Sequence, residues 1–92
     1  MAKKAPTPPK LLQVKVISPS MVYYEGPAES VSAVNKVGPF DVLADHANFF
    51  SLLSTGEIVV NTGGSNLKFP IKDGIVKVTD NHVTLFIYLP GD

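Results

Sequence analysis

The sequence predicts an all-β domain of short strands, a sandwich or flattened barrel. Apolar residues recur at every second position over most of residues 11–89, the period of a strand with one face buried. Turn-forming residues interrupt this pattern at short, even intervals. No stretch offers a capped helix of three turns.

The elements follow in order. Leu12, Val14 and Val16 alternate with Gln13 and Lys15, a half-buried strand. Ser18-Pro19-Ser20 is a turn, because proline presets φ at the second turn position. Met21 to Glu25 is a second strand, stopped by Gly26-Pro27, with Tyr23 and Tyr24 on opposite sides and only one of them packed. Ala28 to Val34 is a third strand, Val31 and Ala33 facing one way and Ser30 and Ser32 the other. A loop, Asn35-Lys36-Val37-Gly38, leads to a short strand through Phe40 and Val42; the loop Ala44 to Asn48 precedes the apolar run Phe49 to Leu53. Ile58 to Thr62 is a strand ended by the hairpin turn Gly63-Gly64-Ser65. Leu67, Phe69 and Ile71 alternate with Lys68 and Pro70, and a proline that cannot donate places this strand at an edge. Asp73-Gly74 reads as a turn before Val76 and Val78, and Asp80-Asn81 as another before Val83, Leu85 and Ile87.

Composition removes several classes of function. The 92 residues are enough for one small core, and 45% of them are apolar. All eight cations are lysine, which argues against nucleic acid as a partner, since bidentate phosphate and guanine contacts rely on arginine. Without cysteine there is neither a disulfide framework nor a thiolate metal site. No apolar run approaches the roughly 18 residues of a membrane-spanning helix, so direct membrane insertion is not expected. The net charge of zero is divided. Residues 1–10 hold three lysines and no acid, while residues 11–92 hold five lysines and eight acids. The first segment also carries Pro6, Pro8 and Pro9 and reads as a flexible basic tail ahead of a domain over 11–92.

Few residues suggest chemistry. His82 opens a strand beside a turn, where an exposed imidazole is ordinary. Asp45, His46 and Ser51 could supply the parts of a hydrolytic triad, but nearness in sequence does not align them, and no Gly-x-Ser-x-Gly elbow is present. Asp41, Asp45 and His46 lack a metal-ligand repeat. Gly63-Gly64-Ser65 lacks the spacing of a phosphate loop. Residues 37–53, VGPFDVLADHANFFSLL, are the exception, an acidic and apolar stretch that reads equally as a partner-binding surface and as a plug for one end of the barrel.

The ordered motifs resemble the ε subunit of rotary F-type ATP synthases, called δ in mitochondria. Leu12, Val14, Val16, Ser18, Pro19, Tyr24, Gly26, Glu29 and Val31 match its opening pattern. The centre of the match is Gly38-Pro39-Phe40-Asp41-Val42-Leu43-Ala44-Asp45-His46-Ala47, similar to the family's Gly-Glu-Phe-Gly-Ile-Leu-Pro-Gly-His-Ala. Residues 53–58, LSTGEI, resemble a Leu-Lys-Pro-Gly-x-Leu segment, and Ile75 to Leu85 resemble the closing strands.

The resemblance implies a flattened β-sandwich of about ten strands that performs no covalent chemistry and needs no cofactor. Such subunits belong to the rotor, join the γ subunit to the c-ring, and lie peripherally on the cytoplasmic face of the energy-coupling membrane. It implies ring contact for Gly38, Pro39, Phe40, Asp41, Asp45 and His46, and γ contact for Phe49 and Phe50. The loop departs from the family at Pro39, Asp41, Ala44-Asp45 and Asn48 but stays acidic, which suits basic ring loops. The chain stops at Leu89-Pro90-Gly91-Asp92, so the family's inhibitory C-terminal helices and ATP binding are expected to be absent. Two other readings remain: a free-standing β-sandwich binding module, since a fold does not fix a function, and a small hydrolase using His46.

Overall fold

The computed structural model describes residues 10–91; the expected tail lies outside them except for Lys10. The described residues form nine strands and no helix. They are β1 (Leu12–Ile17), β2 (Val22–Ala28), β3 (Ser30–Asn35), β4 (Gly38–Leu43), β5 (Phe49–Leu53), β6 (Gly56–Asn61), β7 (Asn66–Ile71), β8 (Asp73–Thr79) and β9 (His82–Tyr88). One sheet runs β2-β1-β9-β8-β5 and the other β4-β3-β6-β7. All neighbours are antiparallel except β1 and β9, which pair in parallel from Gln13–His82 to Ile17–Phe86.

The period of two builds the core. Leu12, Val14 and Val16 of β1 face Val83, Leu85 and Ile87 of β9 and Val76 and Val78 of β8 on the inner side. Val31, Ala33, Val42, Ile58 and Val60 meet them from the second sheet. Every buried side chain in this cluster is apolar, and no polar or charged residue among the described ones is buried, so no desolvated polar group needs compensation.

The nine strands fit the expected sandwich of about ten, and four local expectations are corrected. Gly26 and Pro27 lie inside β2 instead of ending it, because β2 is an edge and Pro27 needs no donor there. The register shifts between Val16–Tyr24 and Ile17–Val22, leaving Tyr23 as an extra residue. This bulge lets both tyrosines pack half-buried against the core rather than alternate. Asp73-Gly74 is not a turn; it opens β8, and the chain crosses from one sheet to the other through Lys72 alone. The Gly38–Val42 segment is strand from its first residue. The hairpins at Thr62–Ser65 and Asp80–Asn81 stand where turn chemistry puts them, and Pro70 is exposed on the edge strand β7.

Gly74 is required by close approach. A Cβ built there would lie 2.5 Å from the Phe86 carbonyl oxygen and 3.2 Å from the Ile87 Cα, both backbone atoms of the β8–β9 ladder. Gly64 meets nothing within 4 Å. Gly74→Ala is therefore expected to cost about 1–3 kcal/mol while Gly64→Ala is tolerated, as read from urea unfolding midpoints. Equal midpoints for the two variants would contradict this packing.

Candidate functional site

The strand β4 separates the expected contact residues into two groups. Gly38 and Pro39 stand beside the β3–β4 turn, and Asp45 and His46 follow the other end of the strand. A six-residue strand puts about 20 Å between them. The intervening residues alternate: Phe40 points inward against the core, and Asp41 points outward, accepting a 2.6 Å hydrogen bond from Ser32 Oγ. The six residues do not form one patch.

Asp45 and His46 sit in a polar clasp at one end of the sandwich. The Asp45 N–H donates to Asn81 Oδ1 at 2.6 Å, and Asn81 Nδ2 donates back to the Asp45 carboxylate at 3.3 Å. The Asp80 N–H donates to Asn48 Oδ1 at 3.0 Å. The Gln13 N–H donates to the Asn81 carbonyl at 2.8 Å. Two loops from different strand pairs are thus tied to each other and to the start of β1. Asp45, Asp80 and Asn81 all take positive φ, at 66°, 47° and 64°, a region that short polar side chains tolerate better than others. Lys10 Nζ lies 3.2 Å from Asp45 Oδ2, an exposed pair.

The hydrolase reading does not assemble. The His46 Nδ1–H donates to the Ala47 carbonyl at 2.8 Å, and its ring meets Phe49 edge-on at 5.5 Å. The Asp45 carboxylate bonds Lys10 and Asn81, not His46. The Ser51 hydroxyl donates to the Leu52 carbonyl and accepts from Asn35. Each member of the supposed triad has a different partner.

Phe49 and Phe50 also separate. Phe49 turns inward, half-buried, against Phe40 at 5.4 Å between ring centroids. Phe50 turns outward and is 64% exposed. There it joins a feature that the sequence reading missed. Leu52 pairs with Ile75, Ile75 with Phe86, Phe86 with Ile17, and Ile17 with Val22. This apolar row crosses all five strands on the outer face; Leu52 is 68% and Val22 52% exposed, Ile75 and Phe86 less so, and Ile17 is half-buried. Tyr88 extends it, its ring 6.5 Å from that of Phe86. The parallel row one pleat away, Phe50, Lys77, Thr84, Lys15 and Glu25, is mostly polar or charged. The outer face of the second sheet is mixed, with Ser30, Ser32, Asp41, Asn61, Asn66 and Lys68 beside Val34, Leu43 and Val59. The signal was present in β9, His82-Val83-Thr84-Leu85-Phe86-Ile87-Tyr88, where apolar Phe86 and Tyr88 occupy the solvent phase.

The clasp has a pH signature. The Asn81 amide, and then the Lys10 ammonium, hold the Asp45 carboxyl below its ordinary range, against a small opposing effect of desolvation. A depressed folded-state pKa gives stability that is complete above the unfolded value and is lost as pH falls through the folded one. The melting-temperature gap between the unaltered chain and Asp45→Asn should therefore be widest near neutrality and close below about pH 4. Asn81→Ala should cost about 1–2 kcal/mol at neutral pH, with Asn81→Gly losing less because glycine accepts the positive φ. A gap that does not change with pH would show that the carboxylate has no role in the clasp.

A profile of the ATP synthase delta/epsilon chain β-sandwich domain matches residues 11–87. The chain is 31% identical over 74 residues to the chloroplastic ATP synthase epsilon chain of Emiliania huxleyi, covering 80% of this chain and 57% of that one. It is 32% identical over 79 residues to the ATP synthase epsilon chain of a Sulfurovum species, covering 85% and 62%. The chain thus spans less than two thirds of these relatives. Among solved structures it superposes with a TM-score of 0.79 on a chain of the Euglena gracilis mitochondrial ATP synthase OSCP/F1/c-ring assembly, at 19% identity over 94% of this chain and 56% of that chain. With a chain of the Tetrahymena thermophila mitochondrial ATP synthase central stalk and c-ring the TM-score is 0.75, at 16% identity over 89% and 66%. At these identities the structural likeness speaks to the fold, and the sequence match speaks to descent: the chain belongs to the β-sandwich domain family of ATP synthase delta and epsilon chains.

Proposed function

We propose that the chain is a non-catalytic rotor subunit of an F-type ATP synthase, fastening the γ subunit of the central stalk to the c-ring. Rotation driven by proton flow then reaches the catalytic head through a rigid adaptor. The observation that carries this reading is the apolar row from Leu52 to Val22 on the outer face of the five-stranded sheet. A continuous, largely exposed apolar band of this kind marks a protein interface more often than a solvated surface. Family membership suggests the occupant, since the matched relatives are ATP synthase epsilon chains and the solved neighbours come from c-ring assemblies.

In this reading γ covers the row, with Phe50 at its margin, while Phe49 supports the core behind it. Asp45 and His46 meet the polar loops of the ring. Their end of the sandwich is hydrophilic, with Lys10, Asp80 and Asn81 beside them, and charge there sets orientation and association rate more than affinity. Gly38 and Pro39, about 20 Å away, stand apart from that contact. The subunit is peripheral, on the side of the membrane that carries the catalytic head, the cytoplasmic face in a bacterium.

Two measurements test the proposal. Leu52→Asp, on an exposed position, should leave the fold intact by thermal melting and weaken capture of γ at least about tenfold. Asn66→Asp, on the other sheet's outer face, should not weaken it. A cysteine in place of His46 should cross-link to a ring loop in the assembled complex, and a cysteine in place of Pro39 should not. Association with γ that ignores Leu52→Asp overturns the role of the row. Failure of the chain to associate with γ and the ring in cells that express the complete synthase overturns the reading and favours a free-standing binding module.

A further inference from the structure

Four strands border the two sheets: β2 and β5 in one, β4 and β7 in the other. Three of them carry a proline, Pro27 in β2, Pro39 in β4 and Pro70 in β7. A proline on an edge denies an approaching strand a donor and protects against unwanted pairing. The fourth, β5, is Phe49-Phe50-Ser51-Leu52-Leu53, with neither proline nor charge.

The backbone of β5 is open on the side away from β8. The Ser54 N–H donates to the Val34 carbonyl at 2.9 Å, which fixes the direction in which that amide points. In an extended chain alternate residues direct their N–H and C=O groups to the same side. Leu52 and Phe50 therefore present theirs to the open side, while Phe49, Ser51 and Leu53 turn toward β8. Ser51 Oγ donates to the Leu52 carbonyl at 3.0 Å, a local substitute for a missing neighbour. A groove of about 440 Å³ runs beside this edge, walled by Asn35, Lys36 and Val37 of the β3–β4 hairpin and by Ser51 to Ser54. Val37 at its rim is 96% exposed.

We infer that the β5 edge accepts an extended apolar segment of the partner protein, which adds a sixth strand to the five-stranded sheet. The inference rests on the reading that a protein covers the outer face, and it adds a second, backbone-directed contact to that surface. Charge selects the occupant. Lys77 lies beside Phe50 across the β5–β8 ladder, and Lys36 lines the groove. Neither has a carboxylate within ion-pair distance among the described residues, where Lys10–Asp45 is the one salt bridge. The acid near this edge, Asp73, is at the Leu53–Gly74 end. An apolar segment that carries an acidic residue toward Phe50 fits this distribution. A second copy of β5 brings no carboxylate of its own and a second pair of lysines with it.

Residue-resolved amide hydrogen exchange tests the inference, comparing the isolated full chain with the chain in the assembled synthase, purified through a tag on this chain. The Phe50 and Leu52 amides should exchange rapidly in the free chain and roughly a hundredfold more slowly in the complex. The Ser51 and Leu53 amides, already paired with β8, should change little. Hydroxyl-radical footprinting of Phe86 and Tyr88 in the same samples reads the outer face separately. Protection of Phe86 and Tyr88 with unchanged Phe50 and Leu52 amides overturns strand addition and leaves the interface reading standing. No protection at either place overturns both. Slow exchange of Phe50 and Leu52 that rises with the concentration of the isolated chain, together with a dimer in sedimentation, assigns the edge to a second copy and overturns the inference.

Discussion

Each strand has one face to give to a single core, and the period of two decides what remains for anything else. This constraint governs the whole molecule. Leu12, Val14 and Val16 commit β1 to the interior, so Gln13, Lys15 and Ile17 must face outward whatever their chemistry. Ile17, Phe86, Ile75, Leu52 and Val22 share the outward phase, and the pairing registers bring them to one level of the sheet. The core is complete without them, and stability of the isolated domain gives no reason for five apolar side chains to line up in water. Association gives one.

The fold was legible where local chemistry and tertiary context agree. Alternation located the strands of the second half, and Asp80-Asn81 and Gly63-Gly64 turn because short polar residues and glycine accept positive φ there. Asp73-Gly74 misled because its glycine answers to a neighbouring strand's backbone, 2.5 Å from where a Cβ would stand. Gly26-Pro27 misled because a proline is as compatible with an edge strand as with a turn, and edge position depends on the whole sheet order. Tyr23 escaped because a bulge shifts the phase by one residue without any local mark.

The candidate site was legible only in part, for the same reason. Asp45 and His46 were singled out, and the structure ties Asp45 into an ordered clasp with His46 beside it, yet the clasp's other members, Asn48, Asp80 and Asn81, came from residues read as simple turns. Phe49 and Phe50 looked alike as neighbours in an apolar run, but adjacent residues of a strand face opposite sides, and only Phe50 is outward. The apolar row has no sequence signature of its own. It draws one residue from each of five strands, at positions 17, 22, 52, 75 and 86, and only the registers make them neighbours.

The parallel pairing of β1 with β9 has a mechanical consequence. Gln13 lies against His82 at one end of this ladder and Ile17 against Phe86 at the other, so the leading end of β1 and the trailing end of β9 point to opposite ends of the sandwich. A pull applied through those two ends loads the ladder in shear, and its hydrogen bonds must yield together. An antiparallel pair pulled from adjacent ends would open one bond at a time, like a zip. Tension carried between these two ends therefore meets every bond of the β1–β9 ladder at once.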